Sequence, residues 1–94
     1  MIIAVDFDGT LQFPDKSPNI NLISRLNKEQ KQGNTIILWT CREGKSLKEA
    51  LFFLQKFGFR PNFINQNSPQ AIAILGHDSR KIYADIYIDD KGIR

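Results

Sequence analysis

The sequence predicts an α/β domain: a parallel sheet of about four strands in a three-layer, doubly wound, Rossmann-like arrangement. Three observations support this. Short apolar runs alternate with stretches of helical period along the 94 residues. The first run, Ile2 to Val5, is apolar at every position, as in a strand covered by helices on both faces. Three of the runs end in residues suited to chemistry: Asp6-Phe7-Asp8, Thr40 and Asp89-Asp90. Parallel strands bring such ends to one edge, where α/β sheets bind their ligands.

After the first strand, Gly9 to Pro18 is rich in turn formers and reads as a loop. Ser17-Pro18 is a helix start, with Asn19 as an alternative cap, and Ile20, Leu22, Ile23 and Leu26 form an apolar face ending before Gly33. Thr35 to Trp39 is a second buried strand. Ser46 and Glu49 match a capping box, followed by a helical face of Leu47, Ala50, Leu51, Leu54 and Phe57 that stops at Gly58. Asn62 to Asn65 is a weak third strand, and Ser68-Pro69 starts a short helix through Ala71, Ile72 and Leu75 to Gly76. Ile82 to Ile88 is the last strand. The order β-α-β-α-β-α-β implies right-handed crossovers within one domain over residues 1–94.

A chain with 41% hydrophobic and 24% charged residues has the balance of an ordinary globular protein, without low-complexity segments. No apolar run is long enough for a membrane helix or a secretory signal, so a cytoplasmic location without membrane association is expected. The single cysteine, Cys41, excludes an internal disulfide and fits a reducing compartment. The net charge is +3, from 13 basic and 10 acidic residues. A basic surplus favours anionic ligands such as phosphate esters and leaves nucleic acid open without indicating it, and it is also what a solvated surface looks like.

Two carboxylates at i and i+2 in an extended segment, Asp6 and Asp8, point the same way. With Asp89 and Asp90 from another strand they compose an oxygen-rich set suited to a hard cation such as Mg²⁺. Taken alone, an Asp-x-Asp-Gly segment has a second reading, as a calcium-type loop or a surface turn. Gly44-Lys45-Ser46 resembles the end of a nucleotide-binding loop, but that pattern needs glycine where Trp39 stands. Trp39 reads as core or pocket wall, and His77 as a loop residue.

Asp6-Phe7-Asp8-Gly9-Thr10 matches the first motif of the haloacid dehalogenase (HAD) superfamily of phosphotransferases. Thr40 resembles its second motif, Lys81 its third, and Asp89-Asp90 the paired-acid form of its fourth, all in the usual order. Arg80 and Lys91 lie close to Lys81 and compete for that assignment. The resemblance implies a HAD-type phosphatase fold with Asp6 as nucleophile, Asp8 as general acid and base, and Mg²⁺ held by Asp6, Asp8, Asp89 and Asp90. It also implies that Gly9, Thr10, Thr40, Cys41, Arg42 and Lys81 surround the phosphoryl group, with Thr40 and Lys81 assisting catalysis.

The chain departs from the superfamily in two ways. Leu11 to Trp39 holds only a loop and one helix, and Gln66 to Arg80 little more, so the chain is similar to the capless members. An open site suits a phosphorylated small molecule, a nucleotide or a larger phosphate ester. The sequence ends four residues after Asp90, which leaves the last strand at a sheet edge and predicts pairing in a homodimer. Two other readings stand beside the metabolite phosphatase: a nucleotide or polynucleotide phosphatase, and a non-catalytic module that binds a phosphorylated partner.

Overall fold

The computed structural model describes residues 1–93. The elements run β1 (Ile2–Val5), α1 (Ile20–Lys31), β2 (Thr35–Leu38), α2 (Gly44–Lys56), β3 (Phe63–Ile64), α3 (Pro69–Leu75), β4 (Ile86–Asp89) and β5 (Gly92–Ile93). They form one mixed sheet in the order β3-β2-β1-β4-β5, parallel except for the antiparallel β4–β5 pair. The radius of gyration, 12.9 Å, is that of a fully folded chain of this length. No helix among the described residues is long and apolar enough to cross a membrane.

Alternation along β1 builds two cores. Ile3 and Val5, with Phe7 beyond the strand, join Ile23 and Leu26 of α1 and Ala50 and Leu54 of α2. Ile2 and Ala4 face the opposite side, with Ile37, Ala71 of α3, Ile82 and Ala84. Helices α1 and α2 therefore lie on one face and α3 on the other, which explains why β1 is apolar at every position.

Local chemistry fixes the helix ends. Asn19 caps α1 by accepting from the Leu22 amide at 3.2 Å, so the alternative cap is the one used. Ser68 caps α3 by accepting from the Ala71 amide at 3.2 Å, and Gly76 closes it in the left-handed conformation. The capping box at Ser46 and Glu49 does not form. Helix α2 starts earlier, at Gly44, and the Ser46 hydroxyl donates to the Glu43 carbonyl instead. Once the helix begins upstream, Ser46 lies inside the first turn and has no terminal amide to cap.

The last strand also differs from its expected span of Ile82 to Ile88. Residues 82–84 form an extended strap whose backbone bonds to side chains: the Tyr83 amide donates to Asn67 Oδ1 at 2.6 Å and the Ala84 amide to the Tyr87 hydroxyl at 3.2 Å. Ladder pairing begins only when Asp85 reaches Ile2, whose carbonyl accepts from the Asp85 amide at 2.7 Å. The expected four-stranded, all-parallel sheet gains a fifth, antiparallel strand. β5 pairs with Ile88 and Asp89, so β4 has neighbours on both sides and is not the edge strand on which the dimer expectation rested.

Leu54 is fully buried between α2 and the sheet. Leu54→Ala should lower the unfolding free energy by about 2–5 kcal/mol, seen as a fall in the urea midpoint without a large change in slope.

Candidate functional site

Three parallel strands, β2, β1 and β4, end side by side, and the backbone stitches their tips together. The Trp39 amide donates to the Val5 carbonyl at 2.8 Å, and the Asp6 amide to the Ile88 carbonyl at 2.9 Å. Asp6 continues the β1 alternation onto the α3 side of the sheet, the side on which Ile37 and Tyr87 pack. It opens into a cleft of about 280 Å³ lined by Asp6, Trp39, Thr40, Cys41, Tyr87, Ile88 and Asp89. The sheet thus brings together Asp6, Thr40, Cys41 and Asp89, contributed by three strands, as expected. Trp39 and Tyr87 form its aromatic wall, with ring centroids 5.6 Å apart.

Partial burial pushes the Asp6 carboxyl above its ordinary value, and the negative charges of Asp8, Asp90 and Asp89 push it further. The Phe7 amide opposes this by donating to Asp6 Oδ1 at 2.8 Å. An acid raised by neighbouring acids marks a place where a cation would be welcome. The donor set, all hard carboxylate oxygen, fits Mg²⁺ in kind. No three His, Cys, Asp or Glu side chains among the described residues converge into a ready metal-binding group.

Asp8 does not line the cleft. The i, i+2 rule needs extended backbone, but β1 stops at Val5 and the chain curls: the Phe7 carbonyl accepts from the Thr10, Leu11 and Gln12 amides at 3.0–3.2 Å. Gly9 takes a φ of +75° in this bend, and a Cβ there would lie 3.3 Å from Asp90 Cβ. Asp8 is carried out of the cleft and toward Arg42. Arg42 Nε donates to Asp8 Oδ2 at 3.0 Å and Nη2 to Asp8 Oδ1 at 2.7 Å, a two-pronged ion pair. Nη1 holds the Ser46 carbonyl at 3.0 Å, and the guanidinium carbon lies 4.8 Å from the centre of the Phe7 ring. These bonds hold the Asp8 carboxyl below its usual range. The expected pairing of Asp6 with Asp8 in one pocket is replaced by Asp8 with Arg42.

Thr10 is buried, outside the cleft lining, and its hydroxyl has no partner among the described residues. Asp90 is exposed, in the turn after β4, and Asp89 Oδ1 accepts from the Lys91 amide at 2.8 Å. Lys81 is exposed and does not line the cleft. Its carbonyl accepts from the Ser79 hydroxyl at 2.7 Å and from Asn67 Nδ2 at 3.4 Å.

Two residues escaped the sequence reading. Asn65, at a left-handed φ of 52°, grips Thr40 at both backbone atoms: its Oδ1 accepts from the Thr40 amide at 2.8 Å and its Nδ2 donates to the Thr40 carbonyl at 2.9 Å. Asn67 is buried and holds the segment leading to Lys81, through Asp78 Oδ1, the Ser79 carbonyl and the Tyr83 amide. An asparagine at the end of a short strand was the available signal, but asparagines in loops commonly serve turns.

Arg42→Ala should return the Asp8 titration toward 3.8, readable by carboxyl-detected NMR. Because the folded-state value is depressed, the ion pair contributes stability above pH 3.8 that is lost as pH falls through the folded-state value. The destabilisation caused by Arg42→Ala should therefore shrink in acid.

No protein-family model and no curated protein sequence matches the chain. A solved structure, that of a conserved protein coded by a locus of Bacteroides thetaiotaomicron, is similar at 36% identity over the whole of this chain and 81% of that one, with a TM-score of 0.77. Identity at that level over nearly both lengths makes the two members of one family, and the chain belongs to the family of that conserved Bacteroides protein.

Proposed function

We propose that the chain is a capless, HAD-type phosphomonoester hydrolase with a doubly wound core and Mg²⁺ as its cofactor. The observation that carries the reading is Asp6: a partly buried carboxylate at the tip of the central strand, raised by burial and three nearby acids, in a cleft shared with Thr40 and Asp89. A carboxylate so placed suits a nucleophile that is masked until a cation offsets the surrounding charge.

In the proposed reaction an Asp6 oxygen attacks phosphorus, the ester oxygen departs with a proton, and an aspartyl-phosphate remains. Water then attacks that phosphorus, gives up a proton and frees the Asp6 carboxylate with inorganic phosphate. Asp8 would supply the first proton and take the second, which requires it to turn from Arg42 toward the cleft. Thr40, positioned by Asn65, and the amides that follow it would receive phosphoryl oxygens, and Lys81 would balance their charge after swinging inward. Asp6, Asp89 and the Asp8 backbone carbonyl would hold Mg²⁺, with Asp90 in support. Bound there, the ion would offset the repulsion between carboxylate and phosphate.

The Arg42 clamp favours a second reading, a non-catalytic module that binds a phosphorylated ligand, because it keeps Asp8 from the leaving group. One comparison separates the two. With Mg²⁺ the chain should release phosphate from an aryl phosphate, and Asp6→Asn should lower that rate by about 10³-fold or more. Equal rates would leave the binding module. Independently of turnover, adding Mg²⁺ should move the Asp6 carboxyl titration downward, because a cation favours the ionised form.

A further inference from the structure

The reaction proposed above uses the acids and polar groups of the Asp6 cleft and leaves its aromatic wall without a task. Trp39 is the neighbour of Asp6 across the β1–β2 ladder. Val5 pairs with Leu38, and the Trp39 amide extends that register by donating to the Val5 carbonyl at 2.8 Å. Residues level with one another on adjacent strands lie roughly 4.8 Å apart and share a face of the sheet. By that alternation Asp6 and Trp39 lie on the side of Ala4 and Ile37, and both line the cleft.

Trp39 is 45% exposed, so it is wall rather than core. Exposure alone marks nothing, since Phe52 and Ile74 are more exposed. What sets Trp39 apart is that it is braced beside the proposed nucleophile. Its ring leans on Tyr87, with centroids 5.6 Å and planes 56° apart. Tyr87 is tied at its far end, where its hydroxyl donates to the Ile82 carbonyl at 2.5 Å and accepts from the Ala84 amide at 3.2 Å. The wall is thus a flat surface held in place before a ligand arrives, which lowers the ordering cost of stacking on it.

Size and charge narrow what stacks there. At about 280 Å³ the cleft is larger than a phosphoryl group needs and lies at the small end of ligand pockets, which run to roughly 300–1,000 Å³. Its lining holds the carboxylates of Asp6 and Asp89 and, among the described residues, no lysine, arginine or histidine. A leaving group with its own negative charge gains no partner from that lining, whereas a neutral flat ring gains the face of the indole.

Resting on the phosphatase reading above, we infer that Trp39 determines specificity, selecting phosphate esters whose leaving group carries a flat, uncharged ring. The phosphorus lies at Asp6, and the ring stacks on the exposed part of the indole one strand away. Two sources share this chemistry: an aryl ester, with the ring on the ester oxygen, and a nucleoside monophosphate, with a sugar between.

The test is calorimetric titration of the intact Asp6→Asn chain with Mg²⁺ present, in which no nucleophile consumes the ligand. The probes are phenyl phosphate, adenosine 5′-monophosphate and, as the ester without a flat ring, ribose 5-phosphate. At least one ring-bearing ester should bind about tenfold tighter than ribose 5-phosphate, as expected for one ring stacked on an indole. Tighter binding of phenyl phosphate places the ring at the ester oxygen, and tighter binding of the nucleotide places it beyond a sugar. Trp39→Ala should reduce the preference to about twofold or less, and Trp39→Phe, which keeps a ring against Tyr87, should retain most of it. Trp39 is the single tryptophan of the chain, so the preferred ester should quench its fluorescence and ribose 5-phosphate should leave it nearly unchanged. Equal binding of all three esters, or a preference that survives Trp39→Ala, overturns the inference. Wild-type hydrolysis is read separately: turnover without ring preference overturns this inference alone, and a Trp39-dependent preference without turnover overturns the catalytic reading alone.

Discussion

β1 is paired along both edges and buried on both faces, and the rest of the molecule is arranged by that constraint. A strand enclosed in this way can expose functional groups only at its end. The hydrogen bonds from Trp39 to Val5 and from Asp6 to Ile88 carry the pairing up to that end. Asp6 therefore emerges from the stiffest part of the fold, with Thr40 and Asp89 arriving on strands in register with it. The two cores that meet at β1 make this placement robust, since a shift of the strand by one residue would exchange the contents of both.

The electrostatics are deliberately unbalanced. Asp8, Asp90 and Asp89 all raise Asp6, and of these Asp8 is paired with Arg42. Acids gathered at one edge cost stability, and pairing Asp8 with Arg42 lowers that cost. The proposed reaction needs Asp8 in a different place from where the resting chain holds it.

Much of this was legible in the sequence. Apolar runs ending in acids located β1 and β4, one ending in Thr40 located β2, and Asn19, Ser68 and Gly76 act at helix ends as their chemistry requires. The failures share a cause: in each, a tertiary partner displaces a local rule. Ser46 loses its cap because α2 starts upstream, Asp8 leaves the extended segment because Phe7 gathers three amides, and Ile82 to Ala84 leave the ladder because Asn67 and Tyr87 satisfy them. β5, two residues long with Gly92 as one of them, has too little pattern to be seen. Asn65 and Asn67 were invisible because their roles lie in what they bond across the fold, which composition does not encode.

Asn67 shows what such a role entails. Its Oδ1 accepts from the Tyr83 amide, while its Nδ2 faces three acceptors, on Asp78, Ser79 and Lys81, so only one orientation of the amide satisfies the site. The segment that carries Lys81 thus depends in part on a single nitrogen atom. Deamidation to aspartate would keep the shape of the side chain almost unchanged and turn that donor into a negative oxygen confronting a carboxylate and two carbonyls. Chemical ageing at one buried atom would loosen the approach to Lys81 and, with it, Ile82 and Ala84 of the second core, while leaving the first core packed.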